Sequence, residues 1–204
     1  ATNLSTINQF WRVGDGIGSV GAMSLTNGST VQPTGLVVGG SGGVGTLSVT
    51  GGSTLQLNTV GTNFQVLVGG GKATFPYTPT SGDGEVHVAG ATITSVGNSA
   101  PLRLGFGGEG LLVLDDGAII DIAIAIGTVG EVRCVGDATL LRPTVADLAA
   151  TPALTVLEGA SLHADTIAFP SASGAVAIAS GASLSAEALH VASGVGTTIE
   201  RSAS

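Results

Sequence analysis

Three aspartates lie close enough in the sequence to suggest hydrolysis of a glycan. Asp115 and Asp116 are adjacent, and Asp121 follows after a short apolar stretch. Two carboxylates on either side of a sugar bond can serve as general acid and as base or nucleophile. Adjacent aspartates point in different directions, however, and aspartate is a common turn residue. A binding groove also usually contains aromatic side chains, and only 3% of this chain is aromatic. The pattern therefore favours a turn, and we predict no catalytic residue.

The histidines and two further aspartates could in principle bind a metal ion. His87, His163 and His190 share no short spacing of the kind that zinc ligands use. Asp15 and Asp83 each lie between two glycines, but they do not recur as the aspartates of calcium-binding repeats do. We therefore predict no metal site and no cofactor.

A glycine-rich segment at residues 40–45, GSGGVG, matches the spacing of a dinucleotide-binding loop. Such a loop needs a helix directly after it, because the helix N-terminus holds the pyrophosphate. Here the alternating residues 46–49, TLSV, predict a strand. The glycines are thus interpreted as corners between strands.

A phrase of about eleven residues recurs along the chain and accounts for most of these glycines. It contains a glycine, two apolar residues that alternate with others, a second glycine and a further apolar residue. The copies begin at Gly21, Gly45, Gly84, Gly110, Gly130, Pro152 and Gly174. Successive copies are 20 to 26 residues apart, apart from one interval of 39.

This period predicts the fold. Each unit contains three short strands of alternating apolar and polar residues, separated by glycine corners, which fits one turn of a triangular parallel β-helix. We predict an all-β, single-domain parallel β-helix (β-solenoid) of about seven to eight three-strand turns over residues 13–204. Loop insertions are expected near 72–83 and 142–152, with a helical turn at 145–149.

One side of each predicted strand should face the interior. The register of the phrase aligns one inward column, which consists of Met23, Leu47, Val86, Leu112, Val132, Leu154 and Val176. The single cysteine, Cys134, should face inward below Leu114 and Val88, where it would act as a small apolar residue.

Two longer phrases carry a family resemblance: LVVGGSGGVGTLSVTGGSTLQL and LRLGFGGEGLLVLDDGAIIDI. They resemble the repeats of autotransporter passenger domains and related bacterial surface proteins, and phage tailspike-like and fibre proteins have the same architecture. The resemblance covers residues 13–192 and implies a β-solenoid. It implies no active-site residue, because the motif encodes corners and stacking.

Composition excludes several classes of partner. The chain has 204 residues and a net charge of -8, with only six Lys and Arg residues, so we expect no nucleic-acid binding. No apolar run is long enough for a membrane-spanning helix, and we expect no membrane insertion. Residues 1–11 lack the pattern of a secretory signal peptide, so the sequence is interpreted either as a processed fragment or as an intracellularly made protein that has lost its initiator Met, of which the second needs only one common event.

Apolar residues at outward positions predict a lateral interface. Leu111 and Val113 alternate with inward Leu112 and Leu114, and Ile119 also falls at an outward position. Most other units have polar residues there. A solvated face should not be apolar, so these three side chains are expected to contact a partner, most simply another copy around a threefold axis.

The aromatic residues suggest further contacts. Residues 1–12 are predicted to form an N-terminal cap or attachment segment, which contains Phe10 and Trp11. A cap would cover the first turn, whereas an anchor would bind another protein. Phe75 and Tyr77, in the predicted loop near 72–83, are further candidate interface residues.

These observations favour a non-catalytic structural protein on the surface of a phage virion, such as a tailspike-like head decoration or cement protein, or a fibre. Its expected partners are itself, as a homotrimer, and a capsid, tail or other surface protein, with a glycan receptor possible. The alternative is a fragment of a bacterial cell-surface adhesin, which would be extracellular. A glycan-degrading β-helix enzyme is the third class.

Overall fold

The computed structural model describes residues 9–58, 66–70, 81–97, 101–127, 129–141, 144–145, 152–169, 174–191 and 197–201. The secondary structure of these residues consists of β-strands, with no helix among them. The strands form three parallel sheets, named A, B and C here.

Sheet A has five strands: β1 (Phe10–Val13), β4 (Gly35–Val38), β7 (Val66–Val68), β10 (Leu102–Leu104) and β13 (Ile124–Ile126). Sheet B has eight: β2 (Val20–Leu25), β5 (Val44–Thr50), β8 (Asp83–Ala89), β11 (Gly110–Asp115), β14 (Gly130–Cys134), β17 (Pro152–Val156), β19 (Gly174–Ile178) and β21 (Thr197–Arg201). Sheet C also has eight: β3 (Thr30–Val31), β6 (Thr54–Leu57), β9 (Thr92–Ser95), β12 (Ala118–Asp121), β15 (Asp137–Leu140), β16 (Thr144–Val145), β18 (Ser161–Phe169) and β20 (Ser183–Val191).

Each of the first five turns contributes one strand to each sheet, and every pairing is between successive turns. The later turns differ because β18 and β20 are nine residues long. The second half of β18 pairs with β16, which lies beside β13, and so it continues the third face of the solenoid. The chain therefore makes about seven turns, and the predicted all-β parallel solenoid is confirmed.

The 142–152 segment contains part of this third face. Thr144–Val145 forms strand β16, whereas a helical turn was predicted to begin at Val145, so that expectation was wrong for Val145. A strand is favoured there because the solenoid offers it a partner in β18. Residues 146–150 lie outside the described part of the chain.

The interior consists of stacked aliphatic columns. The predicted column from Met23 to Val176 is confirmed residue by residue. Cys134 lies in the neighbouring column, in register with Leu114, which in turn pairs with Val88. Leu112, Leu114 and Cys134 have no exposed surface. Burial of these side chains, with backbone hydrogen bonds along the axis, is what stabilises the fold.

The two glycines of the repeated phrase have different roles. The second glycine, for example Gly52, has a φ of +73° and open space around it, so it serves a left-handed corner. The first glycine, for example Gly84, lies outside the left-handed region. A Cβ there would lie 2.2 Å from the carbonyl oxygen of Val38 and 2.5 Å from the nitrogen of Gly69. The first glycine is needed because two turns approach each other closely, which the sequence analysis did not predict.

The first strand begins at Phe10, so Phe10, Trp11 and Arg12 belong to the solenoid itself. Trp11 is in register with Leu36 and packs, partly buried, against the core. The Arg12 guanidinium carbon lies 5.4 Å from the centre of the Phe10 ring, a cation–π distance. The choice between a cap and an attachment segment for residues 1–12 stays a prediction, and residues 1–8 lie outside the described part of the chain.

Candidate functional site

A histidine and two carboxylates come together on the outer face of sheet C. Leu162 and Ala164 of β18 are buried, so the alternating residues His163 and Asp165 face outward. In the next turn, β20 places Ser185 beside His163, and Glu187 falls at the position beside Asp165. One potential ligand atom from each of His163, Asp165 and Glu187 lies within 4.8 Å of the other two. We call these three residues the His163 cluster.

The two carboxylates of the His163 cluster lie on neighbouring strands. Like charges directly opposite each other on neighbouring strands are destabilising, and Asp165 and Glu187 occupy such a position. The described part of the chain contains two ion pairs, Arg12–Asp15 and Arg133–Glu131, and neither involves these carboxylates. His163 is also held by a contact outside the cluster, since its Nδ1 lies 3.0 Å from Ser185 Oγ.

The prediction that the histidines share no ligand spacing overlooked this group. In a solenoid the relevant spacing is the repeat period, because residues one turn apart are neighbours. His163-x-Asp165 and Ser185-x-Glu187 lie 22 residues apart, which is the interval between the last two copies of the phrase. That match was present in the sequence. His87 and His190 lie elsewhere, on β8 in sheet B and near the end of β20.

The predicted interface residues lie on two different sheets. Leu111 and Val113 face outward from β11 on sheet B and are half-buried. Ile119 faces outward from β12 on sheet C, is 38% exposed, and lies between Thr92 and Thr139. The structure therefore does not join the three into one row of neighbours.

Charged residues flank the apolar pair on sheet B. Glu85 and Glu131 lie on either side of Leu111 in neighbouring strands, and His87 and Arg133 lie on either side of Val113. The resulting stripe is one strand wide. A partner that covers it would also contact the charged rows next to it. These four flanking residues were not singled out as a group by the sequence analysis.

Arg133 and Glu131 form a two-pronged ion pair along one strand. Arg133 Nη2 donates to Glu131 Oε2 at 2.8 Å, and Nε donates to Oε1 at 3.0 Å. This hydrogen bonding raises the pKa of Arg133. The pair holds the guanidinium over the strand, beside Val113.

The aspartates considered for glycan hydrolysis occupy separate places. Asp115 ends β11, and its Oδ1 accepts a hydrogen bond from the backbone nitrogen of Asp116 at 2.8 Å. Asp116 has a φ of +49°, which agrees with the predicted turn. Asp121 lies at the far end of β12, where its Oδ2 accepts a hydrogen bond from Thr94 at 3.1 Å. The length of β12 thus separates Asp121 from the other two.

The two aspartates that lie between glycines, Asp15 and Asp83, form an ion pair and a hydrogen bond within the solenoid. Asp15 pairs with Arg12 at 3.3 Å, and Asp83 Oδ1 accepts from the backbone nitrogen of Glu109 at 3.1 Å. In the segment 40–45 the chain continues directly into β5, as predicted. Phe75 and Tyr77 fall outside the described residues.

Cys134 has a distinctive chemical environment in the core. Its Sγ donates to the carbonyl oxygen of Gly136 at 3.0 Å. Burial of the thiol, with added repulsion from Asp137 and Asp115, raises the pKa of Cys134 to about 11. The native state therefore favours the neutral thiol well above the ordinary pKa of 9.0.

This shift predicts a loss of stability at alkaline pH. Because the native-state pKa is raised, the thiol stabilises the fold fully below its unfolded pKa, and that stabilisation is lost as pH rises towards about 11. We expect the free energy of unfolding of the wild type to fall, relative to Cys134→Ala, by up to about 1.4 kcal/mol per pH unit in this window. Urea unfolding of both proteins at several pH values measures the difference, and a difference that does not change with pH would contradict the assignment.

Comparisons with known proteins place this chain in no family. A scan of protein-family models, a search of curated proteins and a search of solved structures each gave no match. Within the described residues, no helix is long and apolar enough to cross a membrane.

Proposed function

We propose that the chain is a non-catalytic structural protein, a rigid β-solenoid displayed on the surface of a phage virion. The observation that carries this proposal is the continuous stacking of interior columns through about seven turns. Leu47, Val86 and Leu112, from three successive turns, are all fully buried. A rod built in this way holds its outer surface fixed, which suits a decoration protein or fibre.

The resemblance of the repeat phrases to surface repeat proteins adds support for display on a surface. A head-decoration, cement or fibre protein would have a capsid, tail or other surface protein as its partner. A bacterial cell-surface adhesin is the alternative, since a rigid rod that carries a binding face would serve both roles. A glycan receptor would be the ligand of either one.

Location can be tested directly. Antibodies against the purified chain, detected by immunogold electron microscopy, should label phage particles from the source. Label on bacterial cells that produce no particles would favour the adhesin, and label on neither would contradict surface display. Mass spectrometry of purified particles provides an independent measure of incorporation.

We also propose that the chain assembles as a homotrimer through sheet B. Leu111 and Val113 form an apolar stripe between charged rows. Contact with a partner would remove this apolar surface from water, which is favourable. Around a closed rotation axis each copy would offer the same stripe. Ile119, on sheet C, would belong to the edge of this contact or to a second one.

The double substitution Leu111→Ser and Val113→Ser tests the interface. We expect it to shift the trimer to monomer without loss of strand structure, because both side chains face outward. Light scattering over a range of concentrations measures the mass, and circular dichroism measures the fold. The control is Thr46→Ala with Ser48→Ala, at the same two positions on β5, which should leave the mass unchanged. A monomeric wild type at every concentration would refute the interface.

A further inference from the structure

We propose that the His163 cluster binds a divalent transition-metal ion of the zinc class on the outer face of sheet C. The proposal goes beyond the structural role, because a rod needs no metal ion to hold its turns together. It rests on which atoms the two strands bring together.

The geometry is the first argument. The ligand atoms of His163, Asp165 and Glu187 all lie within 4.8 Å of one another. Ligand atoms bound to one zinc ion, at roughly 2.0 to 2.2 Å from it, are separated by about 3 to 4 Å. Small rotations of side chains at the surface bridge that difference. The backbone need not move, because β18 and β20 fix the positions by parallel pairing.

The identity of the ligands is the second argument. One imidazole and two carboxylates form a mixed nitrogen and oxygen set, which suits zinc and neighbouring transition metals. Calcium and magnesium prefer oxygen ligands alone. The site should therefore select zinc over calcium, which gives the proposal a discriminating test.

Ser185 provides the third argument. A metal-binding histidine commonly donates the N–H of the ring nitrogen that does not bind the metal to a nearby acceptor. This hydrogen bond fixes the tautomer and orients the ring. Nδ1 lies 3.0 Å from Ser185 Oγ; in the tautomer in which Nδ1 carries the proton and donates it to Ser185, the lone pair of Nε2 is left for the ion. Ser185 is thus a positioning residue and not a ligand.

The charge of the cluster is the fourth argument. Asp165 and Glu187 lie side by side, and no described arginine or lysine forms an ion pair with either one. A bound dication would offset their mutual repulsion. Three protein ligands would also leave a fourth position open, where water or a group from a partner could bind.

Zinc titration of the intact chain tests the proposal. Isothermal titration calorimetry with Zn²⁺ should show one ion bound per chain, and Ca²⁺ at the same concentration should not compete. His163→Gln and Glu187→Gln should each weaken Zn²⁺ binding at least tenfold. His190→Gln removes an exposed imidazole from β20, the strand that carries Glu187. This variant should bind Zn²⁺ as the wild type does.

A second readout separates binding from misfolding. Zn²⁺ should raise the Tm of the wild type and of His190→Gln, because a ligand that binds only the native state stabilises it. The Tm of His163→Gln and Glu187→Gln should rise less with Zn²⁺ than that of the wild type at the same concentration, while both variants keep the circular dichroism spectrum of the wild type. Absence of stoichiometric Zn²⁺ binding to the wild type, or equal binding by all four proteins, would overturn the proposal.

Discussion

Replacing Leu112 with aspartate is expected to lower the free energy of unfolding by about 3–5 kcal/mol. Leu112 is fully buried and lies between Val86 and Val132 in the central column. A carboxylate there would meet only aliphatic side chains above and below it. The cost is the removal of a charge from water without a partner.

The matched control for this experiment is Ser48→Asp. Ser48 lies on β5 at the position equivalent to Val113, faces outward between Ser24 and His87, and is outside the proposed interface. An added carboxylate would remain in water, so we expect a change of less than about 1 kcal/mol. Urea unfolding followed by circular dichroism measures both. Equal effects at the two positions would mean that the assigned inward and outward faces are wrong.

Gly84→Ala is expected to destabilise the solenoid by about 3 kcal/mol or more, although the backbone at Gly84 does not need a glycine conformation. The added methyl group would lie 2.2 Å from the carbonyl oxygen of Val38 in the preceding turn. Backbone atoms that belong to two sheets cannot move apart easily. Relief of the clash would disturb hydrogen bonds in both turns.

Gly52→Ala is the comparison that identifies the cause. Gly52 has a φ of +73° and no other atom within 4 Å of an added Cβ, so the cost should be the left-handed strain alone, about 1–2 kcal/mol. If conformational freedom were the main role of glycine throughout the phrase, Gly52→Ala would be the more damaging change. Thermal unfolding of the two variants decides between these explanations.

The stacking of the turns could be predicted from the sequence because it follows from the repeated phrase alone. Alternation fixes which residues face inward, and the repeated phrase fixes which of them align, so Met23 and Val176 could be placed in one column from six intervals. The strand at Thr144–Val145 was not predictable in this way. Its partner is the second half of β18, a nine-residue strand that contains no glycine between the residues that pair with β15 and those that pair with β16.

The outer surface was harder to predict than the interior. Leu111 and Val113 were correctly assigned to the outside, but Ile119 was grouped with them although the corner glycine Gly117 lies between and places Ile119 on another sheet. The His163 cluster was overlooked because its ligands were sought within a few residues of each other. Only the pairing of β18 with β20 makes Glu187 a neighbour of Asp165.

Parallel stacking also makes the length of the molecule change in fixed steps. Neighbouring strands of a sheet are about 4.8 Å apart, so the eight strands of sheet B extend over about 34 Å. Duplication of one 22-residue unit would lengthen the rod by one strand spacing and leave its cross-section unchanged. An insertion that does not amount to whole turns, which here are 20 to 26 residues long in all intervals but one, must leave the stack at a corner. The length of the solenoid along its axis and the size of its loops can thus change by separate genetic events.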